Sequence, residues 1–493
     1  MRCKISSPIG RISAIFFIYL CYIEMAFIAR VFMKRLLLLA ALLAGVCSCA
    51  DEYGYSVKDH KIVYNTPPRP AGQQSMLGFA CDPIDTVRIG VIGLGDRGQD
   101  VPKRMAYIEH ASVVALCDLY PDRVERAQKS LVKRGAPRAK YEFTGEDGWK
   151  ELCALEDLDL VYLAVPWQIH TKMAVYAMEH GKHVAVEVPA ATSIEECWAL
   201  VNTSERTRRH CMMLENCCYD FFELTCLNMA QQGLFGDVVH AEGSYIHNLD
   251  PWWDNYQGDW RMTYNKDHHG DVYPTHGIGP VCQVLNIHRG DKMDLLVSMD
   301  TDAFAGQEKA DARYGKGTVD YQNGDLTATL IRTRKGKTIL VEHDVVTPRP
   351  YNRMYQIVGT KGYANKYPSP GLALGSESLE GAAYDNLDAE KYMSAEQRDS
   401  LLAAYKHPIA REIEALARKV GGHGGMDFIM DYRLIYCLHN GLPLDEDVYD
   451  AAEWSSLVEL SEVSIKHGSM PVVMPDFTRG EWDRTDGLRF AVK

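Results

Sequence analysis

The sequence predicts an α/β chain in two parts: a parallel sheet wound with right-handed crossovers, then an α+β domain carrying a largely antiparallel open sheet. Three observations predict it. Apolar, β-branched runs alternate with helix-length stretches from Val87 to about Leu214, the pattern of parallel strands joined by crossover helices. A glycine-rich turn, Gly93-Leu94-Gly95-Asp96-Arg97-Gly98, follows the first run directly. Beyond about Asn216 the apolar runs alternate and lie close together, which suits antiparallel strands with one covered face.

Composition is that of a soluble globular protein, 46% apolar and 24% charged, without low-complexity bias. Residues 1–49 read as a leader. Met33-Lys34-Arg35 followed by Leu36 to Val46 is a compact signal peptide, with translation starting at Met33. A transmembrane helix from about Ile12 through Val46 is the alternative, interrupted by Arg30, Lys34 and Arg35. Val46-Cys47-Ser48-Cys49 resembles a bacterial lipobox. That resemblance implies lipid on Cys49 and an exported lipoprotein of the cell envelope, in the periplasm or on the outer-membrane surface. Cleavage to a free periplasmic protein is the competing outcome.

The formal charge is −13, and the leader holds six basic residues and one acid, so its removal leaves −18. So acidic a protein lacks the electrostatic footprint for nucleic acid or anionic lipid. Membrane attachment is expected only through a lipid anchor, and homo-oligomer formation stays open. The 14 cysteines show no zinc spacing and are expected as buried free thiols.

Residues 50–83, with Pro67, Pro68, Pro70 and Pro83, read as a tether and an arm on the surface. Residues 84–215 form the first domain. Its opening strand, Val87 to Ile92, leads through the glycine turn into a helix expected over Gln99–His110. The next strand, Ser112 to Cys117, ends in Asp118, twenty residues beyond Gly98. Strand, three glycines, helix, strand and terminal acid in this order are the dinucleotide-binding fingerprint of a Rossmann domain. Gly93 allows the turn, Gly95 lets a pyrophosphate approach, and Gly98 packs helix on strand. Asp118 can accept from a ribose diol and would repel a 2′-phosphate, so the expected cofactor is NAD. Helices over Arg123–Arg134, Glu146–Leu155 and Thr171–Glu179 alternate with strands Leu158–Val165, His183–Val188 and Met212–Leu214. Ligands in such sheets lie beyond the carboxyl ends of the strands. That places Asp96, Arg97, Asp118, Trp167, His170 and Glu187 along one crevice, with Glu215 and Asn216 at the last strand's end.

Residues 216–485 form the second domain, with a helix over Phe221–Gln231, strands at His240–Ile246, Asp325–Arg332, Lys337–Asp344 and Met354–Gly359, and helices over Ala404–Val420, Met426–His439 and Asp447–His467. Between Tyr245 and Gly279 aromatic and hydrogen-bonding residues crowd together, which suits a sugar, though a packed loop or an interface patch is the equal alternative. His268-His269 and His276 match no zinc spacing, so no metal is expected.

Val165-Pro166-Trp167-Gln168-Ile169-His170 and Glu187-Val188-Pro189 resemble the glucose–fructose oxidoreductase and inositol dehydrogenase superfamily. Its usual triplet is Glu-Lys-Pro, and an aspartate usually precedes the histidine by four residues. Here Val188 stands for the lysine and Val272 for the aspartate. Gly-Asp-Val-Tyr-Pro-Thr-His-Gly, with Glu-Asn-Cys-Cys-Tyr upstream and Gly-Met-Asp-Phe-Ile-Met-Asp-Tyr-Arg downstream, is similar to glycoside hydrolase family 109, NAD-dependent α-N-acetylgalactosaminidases on the same scaffold. The resemblance spans nearly all of residues 84 to 485. It implies cleavage by transient oxidation at sugar C3, loss of the C2 proton, elimination, addition of water and reduction. It implies His276 as general acid/base with Tyr273 beside it. Cofactor contacts then fall on Asp96, Arg97, Asp118, Trp167, Gln168, His170, Glu187, Val188, Asn216 and Tyr273. Substrate contacts fall on Tyr245, Arg261, Tyr273 and Tyr351, the last in competition with Tyr355. A net sugar dehydrogenase and a lipid-anchored sugar-binding protein are the alternatives.

Overall fold

The computed structural model describes residues 53–251, 260–379 and 387–492 of the chain. The leader assignments at Met33, Cys47 and Cys49 lie outside the described residues.

The first domain is built on a six-stranded, wholly parallel sheet. From edge to edge it runs Tyr141–Thr144, Ala111–Asp118, Val87–Ile92, Leu160–Leu163, His183–Val186 and Cys211–Met213. Strand order reverses between Val87–Ile92 and Leu160–Leu163. Their carboxyl ends therefore diverge into a crevice, the place where such sheets take ligands. The central strands are buried on both faces, which is why they read as unbroken apolar runs rather than alternating ones.

The helix expected over Gln99–His110 is much shorter. A 3₁₀ turn at Gly98–Asp100 leads into a helix of only Val101–Met105. The chain then turns out through His110, at φ +63°, to enter the strand at Ala111. The helix expected over Ala404–Val420 starts later, at Pro408, and runs to Val420; a separate helix, Ala395–Ala404, precedes it. Pro408 has no N–H to give a continuing helix and takes the first helical position instead.

The second domain carries a ten-stranded sheet in the order Tyr55–Lys58, Lys61–Tyr64, Val472–Val473, Met293–Asp300, Thr327–Thr333, Thr338–Asp344, Val238–Ile246, Asn352–Gly359, Gly362–Asn365 and Gly371–Leu374. It is largely antiparallel; the exceptions are Val238–Ile246 beside Thr338–Asp344 and Val472–Val473 beside Lys61–Tyr64. The segment before residue 84 therefore contributes a hairpin to this sheet. Side-chain bonds fix it further: the Tyr64 hydroxyl donates to Glu459 at 2.7 Å, and Arg69 bridges Glu205 and Glu481.

Helices Thr275–Val284 and Val448–Lys466 pack on this sheet and meet the first domain on their other side. One contact fixes the first of them. A Cβ built on Gly243 would stand 2.1 Å from the Gly277 carbonyl oxygen, and one built on Gly277 would stand 2.6 Å from the Ser244 nitrogen. Only two glycines let this helix lie directly on this strand, and His276 precedes the crossing point by one residue. Among the described residues no helix is long and apolar enough to cross a membrane.

Gly243→Ala should force helix and strand apart. Overpacking of a closed contact costs about 1–3 kcal/mol, so the denaturation midpoint should fall and activity with it. An unchanged midpoint would show that the contact can relax.

Candidate active site

The site grows from the ends of parallel strands and from the start of the Thr275–Val284 helix. In the glycine turn, Gly93 takes φ +86°. A Cβ on Gly98 would meet the Gly93 carbonyl oxygen at 1.8 Å, so Gly98 closes the turn upon itself. A Cβ on Gly95 would meet only Arg123 Nη1, at 3.6 Å, leaving an open cradle on that side of the loop. Asp118 closes the adjoining strand. Its Oδ2 accepts the Leu94 N–H at 2.6 Å and its Oδ1 the Tyr120 N–H at 3.0 Å, so the carboxylate is held against the loop. Open backbone beside an oriented strand-end acid is what a dinucleotide needs. The residues present fit NAD. Because the following helix has five residues, the cradle rests on directed N–H groups more than on a helix dipole.

Arg97 crosses the crevice. Its Nε donates to Glu187 Oε1 at 2.6 Å and its Nη1 to Asp427 Oδ2 at 2.7 Å. Asp427 lies on the Met426–Asn440 helix of the second domain and also accepts from Asn216 Nδ2 at 2.5 Å and faces His423 Nδ1 at 2.9 Å. Burial works against its ionisation, but Arg97, His423 and Arg104 hold its carboxyl well below the usual range. One turn on, Asp431 bonds Arg104 and the Tyr162 hydroxyl. Three of the expected cofactor residues, Arg97, Glu187 and Asn216, thus converge on this cluster.

The others are placed differently. Asp96 and Gln168 are exposed at the crevice mouth, and Val188 is buried. His170 is wholly buried, with Nδ1 and Nε2 each 2.7 Å from a carbonyl oxygen, of Pro189 and Val165 respectively. Its ring ties together two loops that line the crevice, and burial lowers its basicity. Any effect of His170 on a cofactor passes through those loops.

The reactive end is a chain of three side chains. Glu215, fully buried, brings its two oxygens to 2.7 and 2.9 Å from His276 Nδ1 and accepts the Cys217 N–H at 3.0 Å. Burial opposes its charge, yet the His276 partner prevails and its carboxyl stays below the usual range. His276 Nε2 is left facing the Tyr273 hydroxyl at 3.4 Å. Burial raises the Tyr273 phenol well above its ordinary value, so it stays protonated and can donate. A carboxylate that fixes the imidazole tautomer and leaves the second nitrogen directed at the reaction space is the arrangement of a general base. Glu215 was visible in the sequence as a strand-end acid but without a role; Asp427 stood inside a quoted motif, also without one.

Behind Glu215 lies Glu446, whose Oε2 accepts the Glu215 N–H at 3.3 Å. Burial and the charges of Glu215 and Asp450 push the Glu446 carboxyl well up. Glu215, Cys217 and His276 bring a carboxylate, a thiol and an imidazole within 4.8 Å of one another. Two of these are committed to each other, and burial keeps Cys217 a thiol, so the trio is poorly equipped as a metal site.

Aromatic rings wall the space. Trp167 stacks on Tyr273 at 5.3 Å, and Tyr245 lies 4.7 Å from Tyr273 and 5.4 Å from His276. Arg261 is buried, its guanidinium carbon 4.5 Å from the centre of Tyr273 and 5.0 Å from that of Trp167. Val272 is buried, like Val188, so both positions that the dehydrogenase pattern would charge are apolar here. Tyr351 is 44% exposed at the rim, whereas Tyr355 is in the core with its hydroxyl donating to the Glu223 carbonyl. Of the two, Tyr351 is the one a substrate can reach. Asp271 spends one oxygen on the Tyr273 N–H, and burial pushes its carboxyl up to about 7.

Asp118→Ala should weaken NAD binding and lessen discrimination against NADP, since the diol loses an acceptor and the 2′-phosphate a repulsive charge; calorimetric titration with both nucleotides checks this. Glu215→Gln should lower kcat by about two to four orders of magnitude, the range a general base contributes, while NAD affinity stays near wild type. Equal losses in nucleotide binding and turnover would make Glu215 a merely structural group.

Residues 87–215 match the family model of the oxidoreductase family, NAD-binding Rossmann fold, and residues 219–484 that of the glycosyl hydrolase 109 C-terminal domain. Glycosyl hydrolase family 109 protein 1 of Bacteroides thetaiotaomicron is 53% identical over 464 residues, covering 93% of this chain and 99% of that one. The glycosyl hydrolase family 109 protein of Porphyromonas gingivalis is 55% identical over 434 residues, 87% of this chain and 93% of that one. Among solved structures, levoglucosan dehydrogenase in complex with NADH and L-sorbose superposes with a TM-score of 0.58 at 16% identity, covering 80% of this chain and 100% of that one. Myo-inositol dehydrogenase from Lactobacillus casei, in complex with NAD(H) and myo-inositol, gives 0.53 at 17% identity over 80% and 99%. At such identities the likeness is one of fold. Sequence and fold together establish that the chain belongs to glycosyl hydrolase family 109, with an N-terminal domain of the NAD-binding Rossmann oxidoreductase family.

Proposed function

We propose that the protein is an NAD-dependent retaining glycosidase acting on terminal α-linked N-acetylgalactosamine or related α-glycosides. The observation that carries this reading is the Glu215–His276–Tyr273 chain at the wall of a nucleotide crevice, with valine at both positions 188 and 272. A base is in place, but the lysine and aspartate of the common net-dehydrogenase pattern are not.

Bound NAD⁺ would supply reversible hydride exchange at the sugar C3. With C3 a ketone, the C2 proton becomes acidic. His276 Nε2 takes that proton, and Glu215 stabilises the imidazolium that forms. The Tyr273 phenol donates to the C3 oxygen, where charge gathers as the proton leaves. The C1–aglycone bond then breaks and the aglycone oxygen takes up a proton; water adds at C1 and gives one up, and His276 returns a proton to C2. Arg261 steadies Tyr273 and Trp167 by lying over both rings. Arg97, fastened by Glu187 and Asp427, closes the nucleotide side, which suits a cofactor restored in each turnover. Export as a lipoprotein carrying lipid on Cys49 belongs to the same proposal and rests on the leader sequence alone.

A net sugar dehydrogenase is the second reading, favoured by the dehydrogenase fold of the structural neighbours. Turnover of a chromogenic α-N-acetylgalactosaminide in heavy water separates the two. Glycosidase action should place deuterium at C2 of the released sugar with no net NADH. Stoichiometric NADH without aglycone release would establish the second reading, and product without deuterium at C2 would overturn the first.

A further inference from the structure

Tyr273 is placed from behind, by the segment that leads into it. The Gly270 and His268 carbonyls accept from Asn323 Nδ2 at 2.9 and 3.3 Å, and the His269 N–H donates to Glu462 at 3.2 Å. A Cβ on Gly270 would stand 2.6 Å from Ser461 Oγ and 2.9 Å from the Glu462 nitrogen. The segment therefore lies on the Val448–Lys466 helix with no side chain of its own between. The Asp271 N–H adds one more fastening, donating to Ser461 Oγ at 2.9 Å. Asp271 then passes the hold to Tyr273. Its Oδ1 accepts the Tyr273 N–H at 3.0 Å, two residues before the start of the helix that carries His276.

The Asp271 carboxyl is unusually placed for an acid. The residue is 1% exposed, and its Oδ2 is shielded from solvent and meets no hydrogen-bond partner. Among the described residues no cation stands within ion-pair distance of it. The titratable groups on the elements around it have partners of their own. His268 faces the Tyr264 carbonyl, His269 faces Asp300, and His276 is committed to Glu215. On the helix below, Glu462 pairs with Lys466. A carboxylate here would be a charge without a counter-charge in a dry place, which disfavours ionisation. Burial pushes the carboxyl up to about 7, against the pull of the Tyr273 N–H.

We infer that Asp271 is the positioning residue for Tyr273, and that it holds the tyrosine only as the uncharged acid. Once ionised, the carboxylate gains by reaching water, and it does so by lifting residues 268–273 off the helix. Tyr273 then leaves His276. The hold is complete on the acid side of neutrality and is lost as pH rises through the neutral range. The Tyr273 phenol stays protonated far above that range, so it does not produce the same loss. This inference rests on the reading of His276 and Tyr273 as the proton-transfer pair.

The first test needs no substrate. In the NAD-loaded protein, hydrogen exchange at the Tyr273 amide, corrected for its intrinsic rate, should quicken about ten-fold between about pH 6 and about pH 8, as the uncharged fraction falls. Asp271→Asn keeps an acceptor oxygen and cannot ionise, so its exchange should be the same at both ends of that interval. Asp271→Ala removes the acceptor and should exchange fast throughout. Wild-type exchange that ignores pH, or that changes equally in Asp271→Asn, would overturn the inference. The second test is turnover of a chromogenic α-N-acetylgalactosaminide. Wild-type kcat should fall about ten-fold on the alkaline side of the same interval, and Asp271→Asn should lack this limb while keeping the acid limb that His276 supplies. An alkaline limb retained in Asp271→Asn would remove Asp271 as its source. Should Asp271→Ala fail to fold, the comparison with Asp271→Asn decides alone. Protein that shows the exchange pattern yet cleaves no α-glycoside would keep the hold on Tyr273 and lose the glycosidase reading. Cleavage with a flat exchange pattern would do the reverse.

Discussion

The structure depends on one buried carboxylate. Asp427 is supplied by the second domain, yet its partners Arg97 and Asn216 come from the glycine loop and from just beyond the last parallel strand. A charge so deep must be paired, and removing one partner of such a pair costs about 3–5 kcal/mol. The glycine loop, the nucleotide crevice and the Met426–Asn440 helix are therefore held in one arrangement. Arg97 carries the tie on to Glu187, so the ends of the first and fifth strands of the domain answer to the same residue.

Two glutamates illustrate how the interior assigns charge. Glu215 and Glu446 are both fully buried and nearly touch. The first has His276 within hydrogen-bond reach, which holds its carboxyl below the usual range; the second, with Glu215, Asp450 and Asp445 about it, is pushed well up despite a bond from the Cys218 thiol. The imidazole partner is what lets one of the two carry charge in so dry a place.

Much of the fold was legible because its signals are local. The fingerprint from Val87 to Asp118 places a strand, a turn and an acid by spacing alone, and the alternation after Asn216 announces a sheet with one covered face. The helix after the glycine loop is shorter than the sequence predicts because apolar periodicity continues past Met105, while the need to re-enter the sheet at Ala111 cuts it short. Tyr273 and His276 share one motif, and the fold sets the Tyr273 hydroxyl 3.4 Å from His276 Nε2. Glu215 and Asp427 were not assigned, because their pairings arise from partners 61 and 330 residues away along the chain, in Glu215–His276 and Arg97–Asp427. No window of sequence contains such pairs. His170 shows the converse: its motif suggested contact with the cofactor, and the fold instead surrounds its ring with two carbonyl oxygens.

The bare crossing of Gly243 and Gly277 bears on how the site moves. Between most packed elements side chains act as adjustable spacers, hopping among rotamers and absorbing small displacements. Here backbone rests on backbone, and nothing soft lies between. Strand and helix are thereby one stiff piece at the crossing, with Tyr245 two residues to one side and His276 one residue to the other. A shift of the strand is therefore passed directly to the helix, and Tyr245 and His276 are constrained to move as a pair.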